Sequence, residues 1–126
     1  MTLARIVLKL VGFLFVALGV WGLLSPVQFA GMAEVQLATP TAITDGRAVY
    51  GGLELGIGTF LLLCANRQEL VRSGLLAVLL IVGGLFIGRT IGLLLDASGS
   101  TITYQALGIE FLCTALAILA LKAISQ

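Results

Sequence analysis

Arg47, Glu54, Arg89 and Glu110 are ionisable residues set inside stretches that are otherwise apolar. Charges in such places mark proton relays, ligand or ion sites, or pins that hold helices together, because an unpaired charge in hydrocarbon costs several kcal/mol. Arg47, Gly51, Glu54 and Gly58 recur at four-, three- and four-residue steps and so share one helix face. Arg89, Gly92 and Asp96 repeat the pattern, and Thr103, Ala106, Glu110, Cys113, Thr114 and Ala117 make a broad small or polar face. Counting inward, Glu54 lies about nine residues from Asp45, Arg89 about seven from Asp96 and Glu110 about seven from Thr103, or roughly 10 to 14 Å at about 1.5 Å per residue. The three therefore fall in one layer, with Arg89 between two carboxylates and Arg47 and Tyr50 on the outer rim. Arg47 there is in reach of Asp45, Asp96 or a headgroup phosphate. The candidate ligand-binding or proton-handling residues are Arg47, Tyr50, Glu54, Arg89, Asp96 and Glu110.

Such a cluster supports more than one use. It can lock the helices by compensating buried charge. It can also form a ligand, ion or proton site, since two carboxylates sharing one guanidinium repel each other and can leave one of them protonated near neutrality. Independent snorkelling of each side chain to the outer interface is the remaining reading.

The elements that must position these residues follow from composition. Of 126 residues, 60% are hydrophobic and only 10% charged, which places the chain outside the soluble class. Four apolar stretches, Ile6 to Leu24, Ala48 to Ala65, Ser73 to Leu95 and Thr103 to Ala123, each approach the roughly 20 residues needed to cross a bilayer. The expected fold is all-α: one integral membrane domain over 1–126, a four-helix transmembrane bundle with helices at about 5–24, 45–65, 72–95 and 102–123. The first stretch, with Arg5 and Lys9 ahead of its apolar run, also matches the head of a signal peptide, although a retained helix suits a compact bundle better.

If the spans alternate, Arg5, Lys9, Arg67, Arg72 and Lys122 gather at one end, while Glu34, Asp45 and Asp96 gather at the other. The positive-inside rule then gives up-down-up-down topology with both termini cytoplasmic. The short linkers "NRQELVR" and "DASGSTI" make spans two, three and four close neighbours. Pro26 ends the first span, a short interfacial helix fits Val27 to Met32, and Thr44 or Asp45 can cap the second span. Trp21 is expected to anchor the interface.

Glycines supply the expected helix-packing positions. Gly52 and Gly56, following Ala48, and Gly84, Gly88 and Gly92 recur at spacing four, the small-residue signal for close helix association within the chain or between copies.

Several chemistries are excluded or weak. There is no histidine, and Cys64 and Cys113 form no CxxC, so neither a metal site nor a cofactor is expected. "GGLELGIG" lacks the lysine of a P-loop and the strand of a dinucleotide fold. A net charge of +1 gives no support to nucleic-acid binding. Membrane lipid is the obvious partner, with a homo-oligomer or another membrane protein as further possibilities.

"RAVYGGLELGIGTF" at 47–60, "GGLFIGRTIGLLLD" at 83–96 and Glu110 in the last span together resemble the domain of unknown function 4345 family, small bacterial four-helix integral membrane proteins. The resemblance spans essentially the whole chain. It implies the topology, a polar cluster and a bacterial cytoplasmic (inner) membrane location, and it implies no activity. The leading expectation is a structural or accessory membrane component. A small transporter or a proton- or ligand-responsive binding protein is the alternative. A lipid- or quinone-directed enzyme is weaker, because no nucleophile or redox centre accompanies the carboxylates.

Overall fold

Helix formation is obligatory for an apolar chain in lipid, where every backbone donor and acceptor must be satisfied within its own segment. The computed structural model describes residues 1–125, and among them all regular structure is helical. Four helical segments are long and apolar enough to cross a membrane: Thr2–Leu24, Pro40–Asn66, Gln68–Asp96 and Thr101–Ile124. The first is α1, Thr2–Leu24. A short α2, Pro26–Met32, comes after it where an interfacial helix was expected, with Pro26 at its first turn.

The second span starts earlier than its apolar pattern, at Pro40. Its first piece is α3, Pro40–Gly46, capped by the Thr39 hydroxyl accepting from the Ala42 N–H at 3.1 Å. This corrects the expected cap at Thr44 or Asp45: proline is well placed in a first turn, where its missing N–H is not needed, so the helix begins one residue after Thr39. A π-helical segment, Arg47–Leu53, leads into α4, Glu54–Asn66. A 3-10 turn, Gln68–Leu70, opens the third span, continued by α5, Val71–Asp96, and α6, Thr101–Ile124, forms the fourth.

The strongest helix pairings are α1 with α4 and the π segment, and α5 with α6. In the first pair the backbones touch. A Cβ built on Gly12 would lie 3.1 Å from the Gly58 oxygen, one on Gly19 2.6 Å from the Leu55 nitrogen, and one on Gly22 would overlap the Tyr50 oxygen outright. From the other side, Gly51 abuts Leu23 and Gly58 abuts the Gly12 carbonyl and Val16. No side chain fits there, so these glycines are what lets the two helices approach. In the second pair Gly83 faces Thr114 and Arg89 faces Glu110.

The second span touches the third and the third the fourth, as the short linkers require, but the second packs chiefly on the first. One expectation is corrected. The glycines at spacing four are not the intrachain seam: Gly52, Gly56, Gly84 and Gly88 have nothing within 4 Å of a built Cβ, and Gly92 has only its own helix's Asp96 carboxylate at 3.7 Å. The seam instead uses Gly12 and Gly19, and Gly51 and Gly58, at spacing seven. Two turns of helix cover about seven residues, so that spacing also holds one face toward a partner.

The core occupies one half of the bundle. Ala4, Val7, Leu8, Val11 and Phe15 pack with Leu61, Cys64, Ala65, Val71, Leu75, Val78, Val82, Ala117 and Ala120. Beyond it, between Gly84 and Leu116, Glu110 is the single buried residue. The side-chain core thus lies at the end bearing the first turns of α1; toward the other end α1 and the second span stay in backbone contact, while α5 and α6 bury little besides Glu110.

Candidate functional site

Arg89 sits on α5 and Glu110 on α6, each in the less densely packed half of its helix. The guanidinium forks onto the carboxylate: Nη2 donates to Oε1 at 2.8 Å, while Nε donates to Oε2 at 3.0 Å and to Oε1 at 3.2 Å. Glu110 is only 7% exposed, and this is the one ion pair among the described residues. Two parallel charge-assisted bonds fix direction as well as distance, so the pair sets the rotation of α5 against α6. Thr114, one turn on, donates to the Glu110 carbonyl at 2.7 Å, which ties its hydroxyl to the same stretch of backbone.

Glu54 stands apart from this pair. Neither a hydrogen bond nor an ion pair joins it to Arg89, and its Oε2 is buried without a hydrogen-bond partner. Arg89 therefore does not bridge two carboxylates as the spacing suggested. The guanidinium places Nε and Nη2 on Glu110, whose Oε1 accepts from each, and Glu54 is not among its partners. What remains is one fully paired carboxylate and one acceptor facing an unfilled requirement.

Of the partners expected for Arg47, Asp45, Asp96 or a headgroup phosphate, it pairs with neither aspartate, and its Nη1 donates to the Leu23 carbonyl. That carbonyl belongs to the last turn of α1, where backbone acceptors have no partner within the helix. Arg47 thus ties the end of the first span to the π segment of the second. Tyr50 lies beside it in an aromatic chain: Phe29 packs on Tyr50 at 5.4 Å and edge-on to Trp21 at 5.5 Å. Asp96 is exposed at the end of α5, outside any ion pair.

The π segment is the feature that periodic reading missed. A π-helix inserts extra residues per turn and rotates the helix beyond it, and such insertions concentrate at functional sites. Gly51, Gly52 and the adjoining "RAVYGGL" run were a visible hint of weak α preference, but no α-periodic template would have separated them from an ordinary helix. A second overlooked feature is a polar pocket of about 340 Å³ lined by Ala33, Glu34, Ser98, Gly99, Ser100 and Thr103. It joins the loop after α2 to the turn between α5 and α6, at residues the apolar periodicity leaves unassigned.

No group of three or more metal-ligating side chains occurs among the described residues. Carboxylates, an arginine and hydroxyls are the chemistry on offer: ion pairing, hydrogen bonding and proton exchange. The sequence profile of one family, described as a domain of unknown function (DUF4345), matches residues 3–121. The chain belongs to that family. No curated protein and no solved structure matches it. Within the DUF4345 fold seen here, "RAVYGGL" forms the π segment and "GRTIG" carries the arginine of the buried pair.

Proposed function

We propose that this DUF4345 protein is a structural or accessory component of a bacterial inner membrane, spanning it up-down-up-down with both termini in the cytoplasm. The observation that carries this reading is the Arg89–Glu110 pair, in which both oxygens of the buried carboxylate accept from the guanidinium. A paired charge of this kind compensates itself and specifies helix rotation without needing a substrate. The glycines left uncovered at Gly52, Gly56, Gly84 and Gly88 offer close-approach surface to a second copy or to another membrane protein.

The second reading, a small transporter or a proton- or ligand-responsive binding protein, is favoured by one observation: the buried, unpartnered Oε2 of Glu54. A carboxylate oxygen sealed from water with no donor is where a proton or a ligand's donor group would be accepted. Reconstituted protein separates the two. The structural reading expects Glu54→Gln to leave proton flux, lipid binding and quinone binding at the wild-type level. A flux or binding signal abolished by Glu54→Gln at unchanged thermal stability would replace it with the second reading.

A further inference from the structure

At the opposite end from the Arg89 pair, a groove of about 390 Å³ runs along the start of α1, lined by Met1, Thr2, Arg5, Ile6 and Lys9. Arg5 and Lys9 stand four residues apart and so share one face of the helix. Neither is in an ion pair among the described residues, and the Nε of Arg5 is buried with no hydrogen-bond acceptor. The first acidic residue along the chain is Glu34, beyond the far end of α1, and Glu69, beside the turn between spans two and three, is exposed and unpaired. Two cations and an unused buried donor converge on a cavity whose lining residues, Met1, Thr2, Arg5, Ile6 and Lys9, include no acidic side chain.

The surface below that groove narrows the occupant. Ile6, Leu10 and Phe13 come at steps of four and three and form a stripe that starts at the groove and runs toward the middle of the span about a quarter-turn round α1 from Arg5 and Lys9. They are 48%, 63% and 63% exposed. An anion at Arg5 and Lys9 with a hydrocarbon chain along Ile6, Leu10 and Phe13 is the layout of a phospholipid. A zwitterionic headgroup brings its own cation into a groove that already holds two, whereas an anionic headgroup does not. We propose that this groove is a binding site for the phosphate of an anionic phospholipid, with an acyl chain laid on the apolar stripe beneath it.

The test uses the full chain in detergent, titrated with phosphatidylglycerol, phosphatidylcholine of the same acyl chains, or inorganic phosphate, and read by native mass spectrometry. Phosphatidylglycerol should be retained in preference to phosphatidylcholine. Arg5→Gln with Lys9→Gln should weaken its binding about tenfold, in keeping with the contribution of one or two basic residues at a membrane surface. Arg67→Gln with Arg72→Gln removes the same charge from the neighbouring turn and should leave binding within about twofold. Equal retention of the two lipids, or an equal loss in the Arg67 and Arg72 variant, overturns the site. Displacement of phosphatidylglycerol by millimolar inorganic phosphate overturns the lipid assignment in favour of a small-anion site. A photoactivatable phosphatidylglycerol added to the unmodified protein gives a readout independent of variant folding: adducts within residues 2–13 support the site, and adducts confined elsewhere refute it.

Discussion

Arg89 and Glu110 meet across the third and fourth spans in a forked ion pair, with Nη2 to Oε1 at 2.8 Å and Nε to Oε2 at 3.0 Å. The carboxylate is buried while the arginine side chain keeps 31% exposure, so the two partners are not equally dependent on each other. Losing Arg89 strands Glu110 away from water. Losing Glu110 leaves Arg89 able to extend toward solvent or headgroups.

Arg89→Met should therefore destabilise the protein more than Glu110→Gln, by about 2 kcal/mol or more against about 1 kcal/mol. Arg89→Met combined with Glu110→Leu should recover most of the loss, because an apolar pair leaves no buried charge unpaired. Thermal unfolding in detergent for the two single variants and the double variant gives the coupling directly. A double variant as unstable as the sum of the singles would mean that the pair does not act as a unit.

The glycines divide into two groups with opposite expected behaviour. Gly22→Ala would drive a methyl into the Tyr50 carbonyl oxygen, so α1 and the π segment must separate, at a cost of about 2 kcal/mol or more. Gly84→Ala and Gly88→Ala meet nothing within 4 Å and should change the stability of a monomer by less than about 0.5 kcal/mol. If the open face docks a second copy, Gly84→Leu with Gly88→Leu should shift the oligomer toward monomer without lowering the unfolding temperature. Light scattering beside a thermal melt distinguishes these outcomes.

Much of this was legible in the sequence, for physical reasons. The four spans follow from apolar length, and Arg89 meets Glu110 because opposite charges seven residues inside facing helix ends stand at matching depth on adjacent helices. Three features were not legible. Spacing-four glycines look like a seam in any apolar helix, yet here Gly12, Gly19, Gly51 and Gly58 at spacing seven bring the backbones together, and only tertiary structure says which stripe is covered. The π segment at Arg47–Leu53 breaks the periodicity on which face assignments depend. For Arg47 the sequence offered two carboxylates or a headgroup phosphate, but the unsatisfied carbonyls closing α1 are acceptors that a side-chain inventory does not display.

Ala97, following α5, has φ 51° in the left-handed region, which costs an ordinary residue about 1 kcal/mol. Glycine is the usual residue at such a helix end. Ala97→Gly should raise the unfolding temperature slightly, with a net gain of up to about 0.5 kcal/mol after the larger chain entropy of glycine is subtracted. A lowered melt would show that the turn holds this geometry without strain.

Arg47→Met should loosen the junction of the first two spans while leaving the core intact, because the Leu23 carbonyl loses its donor and the core lies at the other end of α1. Hydrogen exchange should accelerate in residues 21–30 and 46–53 and stay unchanged in 61–78. Acceleration across the whole chain would instead make Arg47 part of the global folding unit.

The orientation of the bundle rests on the distribution of basic residues, and it is open to a direct measurement. With Cys64 and Cys113 replaced by alanine, single cysteines at Thr2, Met32, Arg67 and Ser98 probe the two ends; these four positions are all exposed. Arg5, Lys9, Arg67, Arg72 and Lys122 sit near the Thr2 and Arg67 probes in sequence or across the bundle, whereas Glu34 and Asp96 flank Met32 and Ser98. The positive-inside rule therefore expects an impermeant thiol reagent to label Met32→Cys and Ser98→Cys in intact cells, and Thr2→Cys and Arg67→Cys only after the membrane is opened. Because Arg67→Cys removes one of the topology-determining charges, Gln68→Cys should be measured beside it and give the same protection. Labelling at Thr2 and Gln68 in intact cells would invert the bundle and place the groove at Arg5 and Lys9 in the outer leaflet.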